Sequence, residues 1–296
     1  MKEPRRFAFV QYDVFTSQPL EGNQLAVFDD ARGLSDAEMQ ALARETRLSE
    51  TTFILPRDAA TEREQGVKVR IFTVEEELEF AGHPTLGTAF HLHRKSGASL
   101  VELDLKVGKI PVQFSLDDAG AAFGEMRQRD PEFGQVHAVE EVARVLGLEV
   151  AEIDTGLPVQ TVSTGLAFVM VVFRKLERLQ RFKLDFARAA EYLGKTQGRF
   201  FYCVCRETVL PGAALHARMI FYNGEDPATG SAAGCCAAWV VRHGVFESEK
   251  RALIEQGIEM RRPSKIFVRG RRLGDTVTDI FVGGNVVPVS AGEFVI

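Results

Sequence analysis

The chain has 296 residues, 45% of them apolar and 26% charged, a globular balance that excludes a disordered polymer. Its 36 basic and 41 acidic residues are interspersed and leave a net charge of −5, so there is no basic stripe for a nucleic-acid backbone. No stretch approaches the ~20 apolar residues that span a bilayer, and no signal-peptide core follows the polar residues 1–6, so a cytoplasmic protein without a membrane partner is expected. Compact cores usually take ~50–200 residues, so the length predicts two lobes.

Residues 7–10 open as an apolar strand, and residues 25–28 (LAVF) form a second. A helix is predicted over residues 35–47. Ser35 and Glu38 make a capping box at its start, and Met39, Leu42, Ala43 and Thr46 form one apolar stripe. Strands follow at residues 52–55 and 67–72 (VKVRIF). Residues 80–94, FAGHPTLGTAFHLHR, read as a Gly-rich turn entering a helix, and residues 100–114 as a β-hairpin. DDAG at residues 117–120 then interrupts the pattern.

The order begins again beyond it. Residues 167–173 read as a strand and residues 185–193 as a helix, with Gly194 placed for an αL cap. Strands follow at 200–206 and 215–221. Residues 223–242, NGEDPATGSAAGCCAAWVVR, are a second Gly-rich turn entering a helix, and residues 258–269 a second hairpin. The basic run 269–272 reads as the solvated end of a hairpin. Cys203, Cys205, Cys235 and Cys236 lack metal-ligand spacing and cannot easily bridge within their pairs, so buried reduced thiols and no metal are expected.

Two copies of one β-rich unit predict an α+β protein of two pseudo-symmetric lobes, each a mostly antiparallel sheet wrapped around a central helix. The predicted lobes are residues 1–118, with the C-terminal strand at about 286–296 returning to it, and residues 119–285. Such a pair is expected to hold its ligand between the lobes.

Each Gly-rich helix start has a chemical use. A helix N-terminus presents unpaired backbone N–H groups and a positive dipole end, which bind anions. Gly82 and Gly87, and Gly230 with Ser231, let a ligand approach the backbone closely. Pro84 and Pro227 suit first-turn positions, and Thr85, Thr229 and Ser231 add hydroxyl donors. The alternative is that the glycines only permit close helix packing. Their recurrence, each beside an ionisable residue (His83, Asp226), favours a site for a small carboxylate.

These residues resemble a known family, the phenazine-biosynthesis (PhzF-like) isomerases with the diaminopimelate-epimerase fold. The resemblance rests on DVFTSQPLEGNQLAVF (13–28), LARETRLSETTF (42–53), RIFTVEEELEFAGHPTLGTA (70–89), GEDPATGSAAG (224–234) and EQGIEMRRPSKI (255–266). It implies an enzyme needing neither metal nor organic cofactor. The epimerase relatives use a cysteine at each helix start, and here both starts, AGHP and EDPATG, lack one. Glu45 matches the family's catalytic glutamate, although on its own it reads as a solvated helix-flank residue off the apolar stripe. A carboxyl desolvated in a closing cleft would suit carbon-bound proton transfer near neutrality. The resemblance makes Glu45, His83 and Asp226 the catalytic set, with Asn23, Gly82, Thr85, Gly230 and Ser231 binding substrate. Two motifs depart from the family: its GNP reads Gly22-Asn23-Gln24, and its GRPS reads Arg261-Arg262-Pro263-Ser264.

The expected activity is a cofactor-independent proton shift on a small carboxylate, with a second copy of the chain as the protein partner. Two alternatives stay open: an amino-acid racemase or epimerase with Glu45 and Asp226 as opposed bases, and a non-catalytic binding or regulatory protein on the same fold.

Overall fold

The computed structural model describes residues 4–221 and 224–296. Asn223, the first residue of the second Gly-rich motif, and residues 1–3 of the polar N-terminal stretch lie outside the described residues. The chain divides into two compact units, Met1–Arg127 with Gly283–Ile296, and Gln128–Val282.

The first unit runs β1 (Arg6–Val14), β2 (Asn23–Phe28), α1 (Asp36–Thr46), β3 (Glu50–Leu55), α2 (Ala59–Gln65), β4 (Val67–Phe72), β5 (Glu77–Leu78), α3 (Gly82–Ser96), β6 (Leu100–Leu105), β7 (Gly108–Leu116) and β8 (Ala122–Arg127). The second runs β9 (Glu132–Val136), α4 (Val139–Leu146), β10 (Gln160–Ser163), β11 (Ala167–Phe173), α5 (Leu176–Gln180), α6 (Phe186–Leu193), β12 (Phe200–Cys205), β13 (Ala213–Phe221), β14 (Gly224–Asp226), α7 (Gly230–Arg242), β15 (Ala252–Gln256) and β16 (Ser264–Leu273). The last strand, β17 (Thr276–Val295), begins in the second unit and ends in the first.

The pairing senses repeat. In the first unit β1–β2 is antiparallel, β2–β3 parallel, β3–β4 antiparallel, β4–β6 parallel, and β6–β7 and β7–β8 antiparallel. In the second, β10–β11 is antiparallel, β11–β12 parallel, β12–β13 antiparallel, β13–β15 parallel and β15–β16 antiparallel. Each parallel step is crossed by helix: α1 or the α5–α6 pair in one place, α3 or α7 in the other. The two units are thus copies of one α+β topology. In the first unit the end of β17 pairs with β1 from Arg6↔Val295 to Val14↔Val286, while β8 also pairs with β17, so the sheet closes on itself.

A helix inside such a sheet is buried on most sides, and its composition follows. Every residue of α3 from Gly82 to His91 is buried, and so is almost all of α7. Small residues make this possible. A Cβ at Gly87 would meet Leu25 Cδ2 at 2.5 Å and Val14 Cγ2 at 2.9 Å, so Gly87 serves close packing on β1 and β2, not ligand approach. The capping box of α1 forms as predicted, with Met39, Leu42 and Ala43 buried beneath Phe28 and Phe53.

Several local expectations are corrected. DDAG is the tight β7–β8 turn, in which Gly120 N–H donates to Asp117 O at 2.9 Å, so it lies inside the first unit and the division falls after Arg127. Gly194 sits at φ −60°, not αL, because α6 tightens into i→i+3 bonds, Lys195 N to Tyr192 O and Thr196 N to Leu193 O, both 3.0 Å. The second hairpin starts earlier than predicted: its strands are β15 and β16, and Ile258–Met260 is a single 3-10 turn between them. Arg271 and Arg272 do stand exposed at the solvated end of β16.

Candidate active site

In the first unit three elements meet. β2 begins at Asn23 and β3 at Glu50 on neighbouring parallel strands, Glu50 pairing with Leu25, two residues beyond Asn23. α3 begins against them. Its N-cap Ala81 has no side-chain cap and its first turn holds no acid, so the Gly82 and His83 amides have no helical carbonyl to bond. Pro84 sits in that first turn as predicted. The Thr85 hydroxyl is not available to a ligand as expected, because it donates to Ala81 O at 2.7 Å.

His83 is 4% exposed. Its Nδ1 lies 3.1 Å from Asn23 Nδ2, and its Nε2 faces Glu50 Oε2 at 3.3 Å, an ion-pair distance without aligned hydrogen-bond geometry. Burial drives its pKa down to about 3, outweighing a backbone contact with Gln24 that acts the other way. The imidazole is therefore neutral at physiological pH.

Glu45 is the penultimate residue of α1, on the flank of the helix away from the buried Met39, Leu42 and Ala43. It is exposed, so burial does not desolvate its carboxyl as the sequence reading anticipated. No hydrogen bond or ion pair engages it among the described residues. Two residues on, Arg47 adopts φ 53°, a left-handed turn that ends α1 and delivers the chain to Glu50.

In the second unit α7 starts in the same uncapped way. Its N-cap is Thr229, without a side-chain cap, and its first turn is Gly230, Ser231 and Ala232, with no acid. Pro227 therefore precedes the helix and does not occupy its first turn as predicted. The Pro-Ala step ends β14 and brings Thr229 to the cap. Thr229 is a donor already in use: its hydroxyl donates to Asp226 Oδ2 at 2.6 Å. Gln256 ties this turn together. Its Nε2 donates to Asp226 O (2.7 Å) and Thr229 Oγ1 (2.9 Å), and its Oε1 accepts from Tyr202 OH (3.1 Å) and Thr229 N–H (3.3 Å). Asp226 and Ser231 are half-buried, and Gly230 is buried.

Each unit thus carries an uncapped helix start, able to hold an anion on its backbone amides, beside a fixed ionisable side chain. The model of the phenazine biosynthesis-like proteins matches residues 12–292. The chain belongs to the phenazine biosynthesis-like protein family.

Relatives within that family are similar over nearly their full lengths. An uncharacterized isomerase of Mesorhizobium japonicum is 37% identical, covering 97% of this chain and 98% of its own. The trans-2,3-dihydro-3-hydroxyanthranilate isomerase of Pseudomonas aeruginosa is 31% identical, covering 96% and 98%. Among solved structures, a PhzF-family phenazine biosynthesis protein of Bacillus anthracis superposes with a TM-score of 0.88 at 28% identity, covering 99% of this chain and all of that one (100%). A hydroxyproline epimerase of Agrobacterium vitis, 11% identical with a TM-score of 0.62, shares the fold alone. The chain is an isomerase of the phenazine biosynthesis-like family.

Of the site residues expected for this family, the structure brings Asn23 and His83 together and places Gly82 and Thr85 on the same helix start. Asp226, Gly230 and Ser231 lie around the other start. Sequence reading missed Glu50, Gln256 and a buried ionic network. In that network His216 Nδ1 donates to Glu255 Oε1 at 2.7 Å, and Nε2 faces Glu259 Oε1 at 3.2 Å. Arg218 forks onto Glu225 at 2.8 and 2.6 Å. Burial alone would depress the His216 pKa, but the Glu255 and Glu259 carboxylates push it up to about 9. Glu50 and Glu255 stood in quoted motifs, LSETTF and EQGIEM. Their signal was a carboxylate alternating into a strand's inward face.

The cysteines are all free and buried, as expected. Burial raises their pKa values, to about 12 for Cys203 and about 11 for Cys235.

Proposed function

We propose that the protein catalyses a proton shift on a small cyclic carboxylate of the dihydro-hydroxyanthranilate type, with Glu45 as the general acid and base. The reading is supported chiefly by full-length kinship, at 31–33% identity, to two isomerases named for trans-2,3-dihydro-3-hydroxyanthranilate. An exposed carboxylate with no partner among the described residues is available to a substrate in a way that the engaged carboxylates are not.

In this reading Glu45 takes a proton from an sp³ carbon of the ring. The C–H electron pair moves into the adjacent π system, and the Glu45 carboxyl, which is exposed and exchanges its proton with solvent, delivers a proton to another carbon. Atoms and electrons balance without an oxidant or co-reactant. In the first unit the start of α3 holds the carboxylate through the amides of Gly82 and His83, Asn23 and His83 orient the ring, and Thr85 contributes by fixing the helix start. In the second unit the start of α7, with the amides of Gly230 and Ser231 beside Asp226, is itself a substrate-binding element. A general acid–base group supplies ~10²–10⁴-fold. A cytoplasmic homodimer belongs to the same proposal and is tested by fractionation and sedimentation velocity.

The test is proton exchange in deuterated water, using trans-2,3-dihydro-3-hydroxyanthranilate and a panel of small amino and hydroxy acids. Exchange that Glu45→Gln abolishes supports the isomerase. Inversion at the exchanging carbon would instead favour a racemase with Glu45 and Asp226 as two bases. The unlike surroundings of those carboxylates, one exposed and one holding Thr229, weigh against that outcome. No exchange on any compound, with tight binding retained, would leave a binding protein.

A further inference from the structure

We propose that Gln256 is a positioning residue for Asp226: its side-chain amide turns the Thr229 hydroxyl proton onto the Asp226 carboxylate and so holds that carboxylate in one orientation. The inference rests on the proposed role of the α7 start as a substrate-binding element only in its kinetic arm.

The sheet sets the arrangement. Met219 on β13 pairs with Tyr202 of β12 on one side and with Asp226 of β14 on the other. Ala217, two residues earlier on β13, pairs with Gln256 of β15. Residues in register across strands, or two apart along one strand, share a face. Tyr202, Asp226 and Gln256 therefore meet on one face of the second unit's sheet, and Tyr202 and Gln256 are fully buried there. Gly257 follows at φ 76° and lets the chain press on Pro227, because a Cβ there would meet Pro227 O at 2.6 Å.

Hydrogen-bond capacity then leaves one placement for the protons. The two hydrogens on Gln256 Nε2 go to Asp226 O and Thr229 Oγ1. The two lone pairs on its Oε1 accept from Tyr202 O–H and Thr229 N–H. Turning the amide over would set Oε1 against a carbonyl and Nε2 against a backbone N–H, two contacts that cannot bond. Burial pushes the Tyr202 pKa well above its ordinary value, so the phenol stays a donor. Thr229 Oγ1 already accepts from Gln256, and a carboxylate oxygen 2.6 Å away can only accept, so the threonine hydrogen is aimed at Asp226 Oδ2. With Oδ2 tied, the carboxylate cannot turn without breaking a short, charge-assisted bond. The task is orientation: Tyr202, Gln256 and Thr229 keep their own protons.

The experiment joins side-chain hydrogen exchange to a mutant cycle, both on the full chain. With ¹⁵N-labelled glutamine side chains, both Gln256 Nε2 hydrogens are expected to be protected, whereas those of an exposed glutamine exchange freely. Thr229→Val is expected to free one of the pair and leave the other, on Asp226 O, protected. On whichever compound the wild type turns over, Gln256→Met and Thr229→Val are each expected to lower kcat/KM by ~10–10²-fold, the scale of a small misplacement at a site, and mainly through KM. Thr229→Ser, which keeps the hydroxyl, is expected to recover most of the Thr229→Val loss. The Gln256→Met, Thr229→Val double variant should be no worse than either single one, because both remove the same proton from Asp226. Losses that multiply in the double variant, or that Thr229→Ser does not recover, would overturn the proposal. A freely exchanging Gln256 amide in the wild type would overturn it alone. If Gln256→Met fails to fold, the wild-type exchange pattern and the two Thr229 variants decide. Wild-type protein inert on every compound would defeat the proposed function, and the exchange pattern would still decide the hydrogen-bond chain.

Discussion

The Gln128 side-chain amide fills the space that any side chain at Gly234 would need. A Cβ at Gly234 would collide with Gln128 Oε1, and that same amide donates to Gly230 O at 3.0 Å and accepts from Thr164 Oγ1 at 2.6 Å. One missing methyl in the second turn of α7 thus lets a buried side chain anchor the helix's first turn.

Gly234→Ala is therefore expected to cost ~1–3 kcal/mol, the usual scale of overpacking a core, despite the better helix propensity of alanine. Denaturant unfolding measures it. Adding Gln128→Ala should relieve the clash, so the double variant should lose less than the two single losses summed.

Glu45→Gln is expected to lower turnover by ~10²–10⁴-fold. Because the side chain is exposed, stability should change by no more than ~0.5 kcal/mol. Steady-state kinetics beside thermal melts separate the two. A loss matched by a fall in melting temperature would count against a chemical role.

The His216 network sets a pH dependence of stability. His216 has a folded-state pKa of about 9, above its ordinary 6.5. Its contribution is therefore complete below pH ~6.5 and is lost as pH rises through about 9. Its size should be on the order of 1–3 kcal/mol. Urea midpoints from pH 6 to 10 should fall over that window, and His216→Gln should flatten the fall while lowering stability at pH 6. Glu259, held below its ordinary value because His216 and Arg218 outweigh its burial, works in the other direction: its contribution is lost only in acid.

The thiols should be silent in the native state. All four cysteines are buried, and burial disfavours their thiolates. An aromatic disulfide reagent at pH 8 should react with them only as fast as the chain unfolds, and all four should react at once in denaturant. Rapid native reaction at Cys235 would show that the α7 packing opens.

Much of this was legible in the sequence because it is local or periodic. The Ser35–Glu38 box, the strands at 67–72 and 167–173 and the paired Gly-rich helix starts follow from spacing alone. What was not legible depends on which strands become neighbours. Glu50 faces His83 because β2 and β3 run parallel, and Gln256 reaches Asp226 because β15 lies beside β13. The Thr85 and Thr229 hydroxyls looked available because nothing in one dimension shows that Ala81 O and Asp226 take them. Gly87 looked like a ligand approach until Leu25 and Val14 stood against it. Glu45 carried no signal of its own beyond the motif around it.

The long final strand has a consequence for biosynthesis. β1 pairs with residues 286–295, which leave the ribosome long after it. The second unit is one continuous segment, Gln128–Val282, whereas the first is split around it. A nascent chain can therefore complete the second unit while the first still has unpaired edges on β1 and β8. The ring of strands around α3 is sealed only once residues 286–295 have been made, a long-range closure. Exposed strand edges of that age are where a chaperone would bind, and where two nascent chains would most readily tangle.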